Sequence, residues 1–178
     1  MVKIYCAARC GNSGSETVYA LLGYAMRDVF GIGLPLIEKT SNGKPFFPER
    51  PDIHFSLSHA KTHVLCVLSD SPVGADIESP RYISPRACKF FLSPEESAMF
   101  NPLDLWVLKE SYIKLIGATL PSVGKIRFSR EGEKIITPDI SVTSKLYHVE
   151  GCTAAISASG DNIYGSIELI TRSLIYPR

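Results

Sequence analysis

Two acidic signatures carry the chemistry this chain could do: Val73-Gly74-Ala75-Asp76-Ile77-Glu78 and Trp106-Val107-Leu108-Lys109-Glu110-Ser111-Tyr112-Ile113-Lys114. The first has the texture of a strand, where side chains two apart share a side, so Asp76 and Glu78 point the same way. The second has the texture of a helix, where Trp106, Glu110 and Lys114 fall on one stripe at i, i+4 and i+8. If that stripe faces the strand end, three carboxylates meet near one lysine and one indole. Carboxylates crowded together repel one another, and a hard cation is the usual remedy. The expectation is a Mg²⁺ site on Asp76, Glu78 and Glu110 that holds a phosphate-bearing ligand.

Each piece alone has a plainer reading. A charged pair after an apolar run is commonly a solvated strand end, and an i, i+4 Glu–Lys pair stabilises an exposed helix by only about 0.2–0.5 kcal/mol. His59 and His63 lack a third ligand at zinc spacing. Glu96 stands three residues after Ser93, the spacing of a capping box, so a helix cap competes with a role in the site.

Periodicity indicates the elements that must position these groups. Val2 to Ala8 reads as a strand. Asn12 to Glu16 reads as a helix entrance with Ser13 and Glu16 at capping-box spacing, followed by the stripe Val18, Leu21, Leu22, Ala25 and Val29 and a stop at Gly31. Residues 53–58 alternate and predict a half-buried strand, with Ser56 and Ser58 on the polar side. Val64 to Leu68 is a continuous apolar run, a central strand. Asp70-Ser71-Pro72 then turns the chain, which predicts a hairpin between that run and Val73–Glu78. Ser84-Pro85, Ser93-Pro94 and Asn101-Pro102 each place a cap residue before proline at a first helical position. Beyond Leu120 the texture is strand-like at Lys125–Phe128, Lys134–Thr137, Ser144–Glu150, Thr153–Ala158 and Tyr164–Ile170. No sequence repeat is visible.

Composition narrows the classes. The chain has 178 residues, 45% apolar and 21% charged, ordinary values for a globular protein. Lys and Arg total 19 against 18 Asp and Glu, which argues against a general nucleic-acid binder, whose footprint is a basic excess. No apolar run approaches the length of a membrane span, and the start, Met1 to Arg9, is too short and too early broken by charge for a signal peptide. The 5 cysteines are odd in number and unpaired in spacing, as in a reduced intracellular protein. These features place the chain in the cytoplasm, away from membranes and nucleic acid.

Five ordered blocks then point to one family. They are Gly43-Lys44-Pro45, residues 53–59 (Ile-His-Phe-Ser-Leu-Ser-His), residues 73–78, residues 91–96 (Phe-Leu-Ser-Pro-Glu-Glu) and residues 106–114. Together they resemble the 4′-phosphopantetheinyl transferases, in the pseudo-dimeric subclass that primes carrier proteins of peptide and polyketide synthases. The resemblance implies an α/β (α+β) fold of two similar halves, residues 1–80 and 81–178. Each half would be a small antiparallel-rich sheet packed with a helix, and the active site would lie between them.

It further implies an enzyme that moves the phosphopantetheine arm of coenzyme A to a serine of an apo acyl or peptidyl carrier protein, releasing 3′,5′-ADP. Asp76, Glu78 and Glu110 match the Mg²⁺ ligands and Lys114 the lysine on the phosphates, with Glu110 a candidate base for the carrier serine. Lys44, Ser58 and His59 match positions that grip the nucleotide, and Lys61 is close enough in sequence to assist. Trp106 would support the site from beneath, and Arg81, Arg86 and Lys89 would guide an acidic carrier. A chain that supplies both halves is expected to act as a monomer. This sequence departs from the family's pattern in a short segment between Glu96 and Trp106. It also has Ser15, Glu16 and Thr17 where a basic residue stands in larger members, with Arg27 further along. A Mg²⁺-dependent nuclease and a non-catalytic module that binds coenzyme A or a carrier are the competing readings.

Overall fold

Alternating apolar residues build two small sheets here, and each sheet buries one face under a helix and the other against its neighbour. The computed structural model describes residues 1–11, 13–160, 163 and 165–176. Asn12 and Tyr164, assigned above to a helix entrance and a strand, lie outside them.

The chain begins with β1 (Val2–Ala8), α1 (Gly14–Phe30), a ribbon of β2 (Glu38–Lys39) and β3 (Pro45–Phe46), and a hairpin of β4 (His54–His59) and β5 (His63–Ser69). It then repeats that order with β6 (Val73–Glu78), the helices α2 (Pro85–Phe91), α3 (Pro94–Ser97) and α4 (Pro102–Ile116), a ribbon of β7 (Ser129–Glu131) and β8 (Lys134–Ile136), and a hairpin of β9 (Val142–Val149) and β10 (Cys152–Ser159). Strand β11 (Glu168–Ile170) and the short α5 (Arg172–Ile175) follow. The first sheet has the order β11-β1-β5-β4 and the second β6-β10-β9, so β5 and β10 hold equivalent central places. All pairings in both sheets are antiparallel except β11 beside β1. The fold is α+β with small antiparallel-rich sheets, as expected, and its order of elements runs twice although the sequence shows no repeat.

Three local expectations are corrected. Strand β6 does not form a hairpin with β5. Both edges of β5 are already taken by β1 and β4, so β6 has no edge to join there and pairs with β10 instead. The second run of elements therefore starts at Val73. Residues 125–128 are not a strand: Leu120–Lys125 is a 3₁₀ turn, and Ile126 and Phe128 are buried against α4. Strand β4 is covered on both faces, because Ser56 (5% exposed) and Ser58 (8%) lie against β6.

Three cores hold the layers in the order α1, first sheet, second sheet, α4. Tyr5, Val64, Cys66 and Leu68 pack on Leu21, Leu22 and Met26 of α1. Ile4, Leu65 and Val67 meet Val73, Ala75, Ile77 and Ile156 between the sheets. Leu105, Leu108 and Tyr112 of α4 cover Ala155, with Phe91 and Phe128 at the periphery. This explains why residues 64–68 are apolar without interruption: they face a helix on one side and a sheet on the other. Helix α1 starts where the Ser13 hydroxyl accepts the Glu16 N–H, and α4 where the Asn101 side chain accepts the Asp104 N–H. Helix α4 stops at Gly117, whose φ of 66° is that of a left-handed cap. Among the described residues, no helix is long and apolar enough to cross a membrane.

Candidate active site

Strand β6 presents Gly74, Asp76 and Glu78 toward α4, and glycine sets how closely the helix approaches. A Cβ at position 74 would stand 2.0 Å from the Ser111 carbonyl oxygen and 2.3 Å from the Leu115 nitrogen. The backbone of α4 rests on the backbone of β6 at this point, which places Lys114 beside Asp76. The Lys114 ammonium donates to Asp76 Oδ1 at 2.7 Å and to Ser58 Oγ at 3.1 Å.

Ser58 ties the two sheets together at the same place. Its hydroxyl donates to Asp76 Oδ1 at 2.8 Å and accepts the Ile77 N–H at 3.3 Å. Ser56 accepts the Ala75 N–H at 2.9 Å. These amides lie along the edge of β6 that no described strand pairs, and buried N–H groups need an acceptor. Small hydroxyl side chains at alternate positions of β4 supply one to each, so the polar side of β4 serves the junction between the sheets.

The acidic groups are under electrostatic strain. Both bonds to Asp76 go to Oδ1, while Oδ2 is buried and has no hydrogen-bond partner among the described residues. The half-buried Glu110 carboxyl is pushed up from its ordinary range, first by burial, then by the Asp76 charge and, more weakly, by Glu78, while Lys114 pulls the other way. Glu78 is held by Arg81 at 2.9 Å, and the Arg81 guanidinium lies 5.8 Å from the centre of the Trp106 ring. Trp106 in turn meets Phe91 edge-on at 5.1 Å, so its role is to support this corner. Among the described residues, no three His, Cys, Asp or Glu side chains form a ready-made metal cluster. The donor set nevertheless fits Mg²⁺: hard carboxylate oxygens, one of them orphaned on Asp76, and a Glu110 whose ionisation a cation would favour.

The other expected ligand-binding residues divide. His59 is exposed, with its ring against the first turn of α1, where a Cβ on Gly14 would lie 2.9 Å from the imidazole Cγ. Lys61 is exposed on the turn between β4 and β5. Lys44 turns inward: its ammonium donates to the Leu115 carbonyl at 2.9 Å and the Val73 carbonyl at 3.3 Å. Arg86 and Lys89 are exposed on α2, whereas Arg81 is engaged with Glu78.

Comparison with known proteins bears on what these groups do. No family profile matches the chain. Sfp of Bacillus subtilis (strain 168), a 4′-phosphopantetheinyl transferase, is 38% identical over 88 residues, covering 44% of this chain and 39% of that protein. The transferase gsp of Aneurinibacillus migulanus is 38% identical over 92 residues, 46% of this chain and 38% of its own. The transferase psf-1 of Bacillus pumilus is 31% identical over 109 residues, 54% and 47% respectively. Over about half its length, this chain is similar to curated 4′-phosphopantetheinyl transferases. It spans less than half the length of these curated relatives, 38% to 47%.

Glu96 and Lys109, in the blocks that carry the resemblance to these transferases, form a structural pair that sequence reasoning half anticipated. Glu96 completes the capping box with Ser93, and it also accepts from the Lys109 ammonium at 2.9 Å and from the Phe128 N–H at 3.0 Å. Lys109 is fully buried, and it donates to the Phe91 carbonyl as well. Burial lowers the Lys109 pKa although Glu96 opposes that change. A readable sign existed: Lys109 falls between Leu105 and Ile113 on an i, i+4 stripe whose other members are core. Replacing Glu96 by alanine strands the ammonium, and the expected loss is about 3–5 kcal/mol in urea denaturation. A loss under about 1 kcal/mol, the range of an exposed pair, would contradict this account.

Proposed function

We propose that this protein transfers the 4′-phosphopantetheine arm of coenzyme A to a serine of an apo acyl or peptidyl carrier protein. The observation that carries the reading is the meeting of Asp76, Lys114 and Ser58, with the Glu110 carboxyl raised by burial and by its acidic neighbours, on a chain similar to transferases of this kind. The serine hydroxyl attacks the phosphorus that bears the pantetheine arm, the bond to the bridging oxygen breaks, and 3′,5′-ADP leaves with that oxygen.

This chain's own groups have distinct parts in that reaction. Lys114 supplies a point charge for phosphate oxygens, and Asp76 and Ser58 hold it in place. Glu110 accepts the proton of the attacking serine. Asp76, Glu78 and Glu110 would hold Mg²⁺, which when bound neutralises charge on the diphosphate. Exposed Arg86 and Lys89 offer an acidic carrier a basic approach. The reading includes residues 1–80 and 81–178 as two halves with the site between them, subject to the placement of β6 described above. It also includes a monomer working in the cytoplasm, where the 5 free cysteines would stay reduced.

The test combines the protein with an apo carrier, coenzyme A and Mg²⁺, and weighs the carrier by mass spectrometry. The expected result is a gain of one phosphopantetheine. No gain with several carriers would overturn the transferase reading.

A further inference from the structure

The ribbon of β2 and β3 reaches across the molecule to the end of α4, and what it does there differs from gripping a ligand. The last carbonyls of a helix have no partner within the helix. The ribbon takes one of these and the carbonyl of the cap residue beyond them: the Lys44 ammonium donates to the Leu115 carbonyl at 2.9 Å, and the Asn42 side chain donates to the Gly117 carbonyl at 2.9 Å. Lys44 also donates to the Val73 carbonyl at 3.3 Å, so one ammonium joins the last turn of α4 to the first residue of β6. A cation at a helix C-terminus is further favoured by the helix dipole.

We propose that Lys44, assisted by Asn42, is a positioning residue that clamps the end of α4 and so sets Lys114 against Asp76, and is not a contact for the coenzyme's phosphates. The inference rests on the transferase reading for its kinetic consequences and on this structure alone for its geometry. Leu115 follows Lys114 directly, so fixing the Leu115 carbonyl fixes the turn that carries the Lys114 side chain.

The clamp itself is well anchored. The Thr40 N–H donates to the Lys44 carbonyl at 2.9 Å, and the Lys44 N–H donates to the Thr40 hydroxyl at 3.1 Å. Burial lowers the Lys44 pKa, the cost of an ammonium that has left solvent for the two carbonyls it donates to. A cavity of about 210 Å³ lies between the ribbon, β4 and α4, with Lys44, Phe55, Ile113, Lys114 and Ala118 in its wall. Without the clamp, the end of α4 has room there to settle, and a shift of an ångström is costly to a reaction that depends on alignment.

Two measurements test this. The first follows the Lys114 ammonium by NMR after ¹³C reductive methylation of lysines, without any coenzyme. In Lys44→Met the Lys114 signal is expected to move toward that of an exposed lysine, and in Lys44→Arg to stay near its original position. The second compares coenzyme A with 3′-dephospho-coenzyme A, by calorimetry and by transfer to a carrier. Lys44→Met should lower kcat about 10²-fold while weakening both coenzymes by the same factor, with Asn42→Ala changing in the same direction but less. The proposal is overturned if the Lys114 signal is unmoved, or if Lys44→Met weakens coenzyme A tenfold more than its 3′-dephospho form. Should the unaltered protein bind neither coenzyme, the transferase reading fails, and the NMR experiment still decides the clamp.

Discussion

Glu110→Gln is expected to reduce carrier modification by on the order of 10²–10⁴-fold, the usual contribution of a positioned acid or base, while making the metal-free protein more stable at neutral pH. The two effects have one cause. Burial and the neighbouring Asp76 and Glu78 charges raise the Glu110 pKa above its ordinary 4.5 in the folded state. A raised carboxyl adds stability while it is protonated, fully so below the unfolded value. That stability is lost as pH rises through the folded value, because the native state binds the proton more tightly than the unfolded chain does. At neutral pH the ionised Glu110 therefore works against folding, and glutamine removes the charge without changing the shape.

The comparison with metal makes the test specific. Mg²⁺ should raise the thermal midpoint of the unaltered protein, since it binds the folded state, and should do much less for Glu110→Gln. Mass spectrometry of the carrier measures the first effect, and thermal melts at several pH values measure the second. Unchanged transfer in the variant would remove Glu110 from the chemistry. A lower midpoint at neutral pH would show that its carboxylate is stabilised by something other than a bound cation.

What could be read from the sequence was whatever depends on local periodicity. The strand around Asp76 and the helix around Glu110 form because alternation and the i, i+4 stripe are properties of short segments. The caps of α3 and α4 were legible for the same reason, since Ser93 and Asn101 act within three residues. Pairing partners were not legible. Nothing within residues 64–78 says that β1 and β4 occupy both edges of β5, so the hairpin with β6 was a reasonable but wrong expectation. The doubled order of elements was expected from the family resemblance alone and left no repeat in the sequence, because different residues fill equivalent places in the two sheets. Residue type also says less than position does. Lys44 was matched by its Gly-Lys-Pro block, yet its contacts depend on where α4 ends, seventy-one residues further on at Leu115. Ser56 read as a solvent-facing residue because its face is polar, when a neighbouring strand edge needed its oxygen.

The position with the most structural leverage over the site is one that carries no chemistry. Gly74→Ala is expected to cost more than about 4 kcal/mol, beyond the range of most single substitutions. The added methyl meets the Ser111 carbonyl oxygen at 2.0 Å and the Leu115 nitrogen at 2.3 Å, which are backbone atoms of a helix and cannot rotate aside. To reach the 3.4 Å of ordinary contact, α4 has to retreat by well over an ångström. That retreat opens the 2.7 Å Lys114–Asp76 bond and exposes the core beneath Leu108. Gly23→Ala in α1 provides the control, because the same methyl there finds Arg27 Nη1 at 3.7 Å and Leu34 Cβ at 4.0 Å, both ordinary contacts. It should stabilise the protein by about 0.4–1 kcal/mol through a less flexible unfolded chain and better helix propensity. Urea denaturation of the pair measures both signs at once. If Gly74→Ala unfolds at the same concentration as the unaltered protein, α4 does not rest on β6 as described, and the alignment of Lys114 with Asp76 must have another origin.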